Sequence, residues 1–119
     1  MKTHMKDLIV RLVLFSFLGA GVAQAHEAQS GMVYEPFCCN GDANTGDCFQ
    51  IPSETVKAGP DGYQVTLRPG DHPLVTAQQS WVVPYKDARP ATDGAFHACL
   101  YPKETDMRCL YAPGQGCRS

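Results

Sequence analysis

The chain has 119 residues, of which six are cysteines, and its 10 Lys and Arg against 12 Asp and Glu give a formal net charge of −2. The basic residues are scattered and outnumbered, so the sequence lacks the positive stripe or patch that a nucleic-acid backbone or an anionic membrane surface requires. We therefore expect no nucleic-acid partner and no polyanionic or membrane-surface partner.

The first 25 residues have the three parts of a cleavable export signal. An apolar run at residues 12–22 is followed by the small-x-small sequence Ala-Gln-Ala at residues 23–25. The basic residues that precede or open the run are Lys2, Lys6 and Arg11. The run is much shorter than the roughly 20 residues that span a bilayer, so we expect removal of residues 1–25 rather than a stable membrane anchor. His26, which is not a cysteine, would then begin a mature chain without a lipid anchor.

Removal of 25 residues from 119 would leave 94, which suits one domain at residues 26–119. That part carries seven basic and eleven acidic residues, a net charge of −4. In a domain of this size, the free energy gained by burying the hydrophobic core only narrowly exceeds the cost of the conformational entropy lost on folding. Disulfides would therefore add useful stability. We expect a monomer that works in the periplasm or outside the cell, where disulfides persist.

The six cysteines predict three disulfides, because all of them follow the export signal. They are Cys38, Cys39, Cys48, Cys99, Cys109 and Cys117. Cys38 and Cys39 are neighbours and are expected to take separate partners, since a bond between them would close a strained ring. A local bond from Cys39 to Cys48 is plausible. Cys38 would then reach the C-terminal cysteines.

Helical periodicity is nearly absent from residues 26–119, while Gly, Pro, Asn and Asp mark turns at several points. Short strands are predicted between these turns: Cys48–Ile51, Glu54–Lys57, Tyr63–Leu67, Ser80–Val83, Phe96–Tyr101 and Arg108–Tyr111. The second and third should form a hairpin, as should the last two, with Pro84 and Pro90 in an irregular loop between the hairpins. The sequence predicts a mainly β, disulfide-rich small domain, either a twisted antiparallel sheet or a partly open barrel.

The cysteine cluster at residues 38–48 could in principle hold zinc or cuprous copper, or a calcium ion with the oxygen side chains between the cysteines. Structural disulfides and turn formation explain the same residues, and no Cys-x-x-Cys spacing supports a redox role. No serine lies in a Gly-x-Ser-x-Gly elbow, and no carboxylate pair is placed for glycoside hydrolysis. An enzyme remains an alternative without a named catalytic residue.

The alternative function, copper binding, depends on the histidines. His26 would present its α-amine and its imidazole at the mature terminus, and nitrogen ligands favour cupric copper. A second imidazole from His97 or His72 would complete a site like the histidine-brace centres of secreted oxygenases and periplasmic copper carriers. Without copper, His97 is expected to be a sheet residue with a hydrogen-bonded ring and His72 a turn residue.

We expect a non-enzymatic binding or structural role without a cofactor. Most aromatic residues should be core, since a small domain has few other large apolar side chains. The aromatic residues concerned are Tyr34, Phe37, Trp81, Tyr85, Phe96, Tyr101 and Tyr111. Exposure of Trp81 and Tyr85 on one face would indicate a surface for a protein or glycan partner.

Two short motifs resemble a group of small exported bacterial proteins of unknown function. The first is Cys38-Cys39-Asn40-Gly41 with Gly46-Asp47-Cys48, and the second runs from Asp93 to Cys99 as Asp-Gly-Ala-Phe-His-Ala-Cys. The resemblance covers most of the chain after His26, although the loop at residues 42–46 is enlarged here. It implies export and a cysteine-stapled domain, and it carries over no catalytic residue.

Overall fold

The computed structural model describes residues 27–39 and 47–114, and their regular structure is mainly β. The strands are β1 (Cys48–Ile51), β2 (Val56–Ala58), β3 (Tyr63–Leu67), β4 (Gln79–Val83), β5 (Arg89–Ala91), β6 (Phe96–Leu100) and β7 (Met107–Pro113). Two single turns of 3₁₀ helix, Ser53–Thr55 and Tyr85–Asp87, connect strands. The predicted fold class is confirmed.

These strands form two sheets that are not closed into a barrel. One sheet has the order β1-β6-β7-β5 and the other the order β2-β3-β4. All pairs are antiparallel except β5 with β7, which is parallel. The two hairpins predicted from the sequence are present as β2 with β3 and β6 with β7.

Two details differ from the sequence prediction. The segment predicted to begin a strand at Glu54 begins instead with the 3₁₀ turn at Ser53–Thr55. The loop predicted around Pro90 contains β5, a strand at the edge of the four-stranded sheet. Proline is tolerated there because an edge strand needs backbone hydrogen bonds on one side only.

The turn between β2 and β3 depends on close backbone packing at Gly62. Its φ is 144°, and a Cβ at this position would lie 2.2 Å from the Val83 carbonyl oxygen. Gly59 N–H closes the turn by donating to the Gly62 carbonyl oxygen at 2.9 Å. Only glycine allows β3 to enter the sheet this close to the end of β4.

The main core lies between the two sheets. In β3, Tyr63, Val65 and Leu67 alternate inwards and are buried. From the four-stranded sheet, the inward residues are Ile51, Ala98, Leu100, Leu110 and Ala112. In β6 the side chains alternate, with Ala98 and Leu100 facing this core and His97 and Cys99 on the opposite face.

The second face of the four-stranded sheet is covered by residues 27–39, which we call the N-terminal strap. Its buried residues are Met32, Tyr34, Cys38 and Cys39, and they pack against Cys48, Cys99, Cys109 and Tyr111. Strand register sets Cys48 opposite Cys99 and Cys99 opposite Cys109. Three neighbouring strands thus present cysteines at one level beneath the strap.

Candidate functional site

Two disulfides fix the strap side of the domain. Cys38 bonds to Cys109 with a Cα–Cα distance of 5.4 Å, and Cys48 bonds to Cys99 at 3.9 Å. Cys38 reaches the C-terminal cysteines as predicted, and it does not bond to Cys39. The predicted local bond from Cys39 to Cys48 is wrong, because β1 pairs with β6 in a register that places Cys48 directly opposite Cys99.

A third bond would have to join Cys39 to Cys117. Cys117 lies outside the described residues, so the third of the three predicted disulfides stays a prediction. The two described bonds span 71 and 51 residues of sequence. Cross-links over loops of that length stabilise a fold by about 4 kcal/mol each in the chain-entropy treatment. They are typical of proteins that mature in an oxidising compartment.

His97 lies beneath the strap with none of its surface exposed. Its Nε2 is 2.9 and 3.0 Å from the two carboxylate oxygens of Asp93, and its Nδ1 is 2.8 Å from the Tyr34 hydroxyl oxygen. In the neutral ring, Nε2–H donates to the carboxylate and Nδ1 accepts from the Tyr34 hydroxyl. The Ser30 hydroxyl donates to the same carboxylate at 2.5 Å.

The electrostatics of this network favour an ionised Asp93. Burial acts to raise the pKa of the Asp93 carboxyl, but hydrogen bonds from Ser30, His97 and the Ala95 N–H outweigh burial and lower the pKa. Burial, reinforced by the charge of Asp93, raises the pKa of Tyr34 far above its usual value, so that hydroxyl keeps its proton. The network therefore joins a carboxylate, an imidazole and a neutral phenol.

This arrangement ties the strap to the sheet rather than presenting a nucleophile. The Ser30 hydroxyl contacts the carboxylate and not the imidazole, so the order of a serine hydrolase triad is absent from these residues. Ser30 and Tyr34 belong to the strap, while Asp93 and His97 belong to the turn before β6 and to β6 itself. The hydrogen bonds hold the two parts together over 63 residues of sequence.

For the alternative of a copper site at His26 and His97, the structure describes only one of the two ligands. His26 lies outside the described residues. Both ring nitrogens of His97 are hydrogen-bonded, so a metal ion would have to displace either Tyr34 or Asp93. Within residues 27–39 and 47–114, no three His, Cys, Asp or Glu side chains are grouped so that they could hold a metal ion.

His72, the other predicted imidazole, is also buried, with 1% of its surface exposed. Its Nδ1 accepts from the Leu74 N–H at 3.1 Å, and its Nε2 lies 3.1 and 3.2 Å from the carbonyl oxygens of Ala98 and Asp47. Burial lowers the pKa of His72 more than these hydrogen bonds raise it. The predicted turn residue is thus a neutral tether between its turn and strand β6.

Two aromatic side chains of the described residues are exposed, and the more exposed is Phe37, at the end of the strap, at 59% against 45% for Phe49. The Arg108 guanidinium carbon lies 4.0 Å from the centroid of the Phe37 ring, and that of Arg89 lies 5.7 Å away. Arg108 Nε–H also donates to the Phe37 carbonyl oxygen at 3.0 Å. Arg89 forms an ion pair with Glu35.

A groove of about 460 Å³, which we call the Phe37 groove, lies beside this ring. The side chains that matter for its chemistry are Glu35, Phe37, Lys86, Asp87, Arg89 and Arg108. Asp87 and Arg108 also line a second groove of about 520 Å³, between β4 and the first half of β7. A depression with an exposed aromatic ring and several charges therefore runs along this side of the domain.

The exposed aromatic pair considered from the sequence, Trp81 and Tyr85, is not the surface feature. Both are partly buried against the main core. Trp81 Nε1–H donates to the Thr105 carbonyl oxygen at 2.8 Å, and Tyr85 donates to the Gly59 carbonyl oxygen. Phe37 was among the aromatic residues expected to be mostly core and is instead exposed. Its position beside Cys38 places it at the surface, and the disulfide partner of Cys38 could not be known from the sequence.

No protein-family model, no curated protein and no solved structure matches the chain. Among the residues that the structure describes, no helix has the length and apolar character needed to cross a membrane.

Proposed function

We propose that this protein is an exported, non-enzymatic binding domain that uses the Phe37 groove to hold a ligand in the periplasm or outside the cell. The proposal includes removal of residues 1–25 and a third disulfide between Cys39 and Cys117. Support for export comes from the two described disulfides, which an oxidising compartment preserves.

The observation that carries the binding role is the fixed exposure of Phe37. Single exposed apolar side chains are common and need no explanation. Phe37 differs because the ring is held by Arg108 above a groove, and the next residue is anchored by a disulfide. A ring that is already ordered loses little conformational entropy on binding, which is a property of aromatic anchors at binding surfaces.

The buried His97 network supports a binding role over catalysis. His97 is the imidazole that could act as an acid or base together with a carboxylate, and its ring has no exposed surface. A general base must come within hydrogen-bond reach of the group from which it takes a proton. Here the strap covers the ring, and both nitrogens already bind strap or turn residues.

The test is a ligand panel read by two-dimensional NMR. The full chain would be expressed with its export signal, recovered oxidised and ¹⁵N-labelled, then titrated with neutral and charged oligosaccharides, short peptides and small aromatic acids. We expect at least one ligand class to shift amide signals of Glu35, Phe37 and Arg89, and Phe37→Ala to abolish the shifts. Phe49→Ala is the matched control, since Phe49 is an exposed phenylalanine outside the groove. Shifts confined to another surface, or none, would contradict the proposal.

A further inference from the structure

We propose that the Phe37 groove recognises an oxyanion, a carboxylate or phosphate-type group attached to an apolar body, and that Lys86 and Arg108 bind its oxygens. This inference rests on the proposed function and adds the chemical class of the ligand. Three observations support it: the local charge, the partners left to each cation, and the orientation of Arg108.

The groove concentrates positive charge in a chain that is negative elsewhere. Lys86, Arg89 and Arg108 line it with Glu35 and Asp87, which gives a local charge of about +1 by formal count. These three cations are nearly half of the seven that follow residue 25, whereas residues 26–119 together carry a net charge of −4. A local positive site on an acidic surface attracts a single anion while the remaining charge repels a polyanion.

The cations of the groove differ in the partners that they already have. Arg89 is neutralised by its ion pair with Glu35. Lys86 and Arg108 form no ion pair with any carboxylate of residues 27–39 or 47–114. Two cations that face a common groove without a carboxylate partner are available to an anion from solution.

The stacking of Arg108 also determines which of its donors can be used. Its guanidinium lies over the face of Phe37, and its Nε–H is committed to the Phe37 carbonyl oxygen. Stacking on an aromatic ring occupies the face of the guanidinium and leaves its edge N–H groups for an oxyanion. The exposed part of the Phe37 ring then offers apolar surface to the body of the same ligand.

The experiment compares three ligands that share a phenyl ring: benzoate, phenyl phosphate, and benzamide, which is the neutral near-isostere of benzoate. Each is titrated into the oxidised, ¹⁵N-labelled protein at low salt. We expect both anions to shift the amide signals around Phe37, Lys86 and Arg108, and benzamide to bind at least about tenfold more weakly, the size of effect that a charge-assisted hydrogen bond produces. Affinity for the anions should fall as salt is added.

Variants test whether Lys86 and Arg108 bind the anion directly or only contribute to the overall charge of the protein. Lys86→Gln and Arg108→Gln should each weaken anion binding by about tenfold. Lys57→Gln and Arg68→Gln are the matched controls, since both residues lie outside the groove, and neither should change the affinity. Near-ultraviolet circular dichroism checks that each variant is folded, and Lys86→Gln tests the inference even if Arg108→Gln disturbs Phe37.

The results distinguish this inference from the proposed function. Tighter binding of benzoate or of phenyl phosphate identifies the carboxylate or the phosphate as the natural group, and either result supports the inference. Benzamide binding as tightly as the anions, with loss in Phe37→Ala, overturns the anion assignment and leaves the binding role standing. Affinity for the anions that is unchanged in both Lys86→Gln and Arg108→Gln also overturns the anion assignment. If no member of the earlier panel binds the groove either, both proposals fail.

Discussion

Arg108 holds Phe37 at the surface through two contacts at once, a guanidinium 4.0 Å from the ring centroid and an Nε–H that donates to the Phe37 carbonyl oxygen at 3.0 Å. The residues that follow each of them, Cys38 and Cys109, are bonded to one another. The disulfide thus brings two neighbouring backbones together and leaves the preceding side chains in contact. Covalent structure, rather than burial, determines where the exposed ring lies.

Replacement of Cys38 and Cys109 by serine should release this contact. We expect the double variant to lose about 4 kcal/mol of unfolding free energy, because a 71-residue loop is no longer closed. In urea denaturation the midpoint should fall, and the NMR signals of the Phe37 ring should move towards those of a mobile side chain.

The matched control is Cys48→Ser with Cys99→Ser, which opens a 51-residue loop and should cost a similar free energy. Phe37 signals should stay close to those of the wild type in this control. Equal changes in the Phe37 signals of both double variants would contradict a specific role for the Cys38–Cys109 bond.

Tyr34→Phe should destabilise the strap more than its small change in volume suggests. The substitution removes the hydroxyl oxygen that lies 2.8 Å from His97 Nδ1 and leaves a fully buried ring nitrogen without its hydrogen-bond partner. An unsatisfied buried polar group costs about 1–3 kcal/mol. Tyr101→Phe is the control, because the Tyr101 hydroxyl makes no hydrogen bond with the described residues, and it should change stability by less than about 0.5 kcal/mol. Equal effects in chemical denaturation would argue against the network.

Stability should fall on acidification in two stages. Burial lowers the pKa of His72 from 6.5 in the folded state. Below about pH 6.5 the unfolded chain therefore binds a proton at His72 that the folded chain does not bind, and stability falls. The pKa of Asp93 is lowered from 3.8, so the stability contributed by its carboxylate is present above that value and is lost as the pH falls below it.

Urea midpoints recorded from about pH 8 to about pH 3 check both stages. Asp93→Asn should diminish the lower stage and leave the onset near pH 6.5 in place. Asp61→Asn, at an exposed residue of the β2–β3 turn, is the control and should retain both stages. A midpoint that stays constant between about pH 7 and about pH 5 would contradict the neutral, buried state assigned to His72.

An intact mass of the exported protein tests the covalent assignments. We expect a chain that begins at His26 and is lighter than its reduced form by about six hydrogens, one pair for each of three disulfides. A loss of about four hydrogens would leave Cys39 and Cys117 as thiols and remove the third bond. Retention of residues 1–25 would contradict the predicted cleavage.

Local sequence patterns were sufficient to predict both hairpins and six of the seven strands that the structure describes. Alternation in β6 places Phe96, Ala98 and Leu100 on the inner face, and Gly62 marks the β2–β3 turn through its backbone freedom. These features depend on neighbouring residues, so a single sequence contains them. The short strand β5 was not predictable, because Pro90 is acceptable only at a sheet edge, and edge position is a property of the assembled sheet.

The site depends on contacts that are distant in sequence. Tyr34 and His97 are 63 residues apart, and Phe37 and Arg108 are 71 apart. Each residue alone has an ordinary explanation: Tyr34 and Phe37 as core aromatics, His97 as a sheet residue and Arg108 as a surface residue. The two pairs come into contact because the N-terminal strap crosses the sheet, and no local pattern encodes where the strap will lie.

The connectivity of the two bonds also sets an order for maturation. A chain that enters an oxidising compartment from its N-terminus delivers Cys38, Cys39 and Cys48 first, and the partners Cys99 and Cys109 arrive only with the last hairpin. Sequential oxidation would join early cysteines to each other and trap the wrong bonds. Correct pairing must therefore either await the complete chain or proceed through thiol exchange after the first bonds have formed.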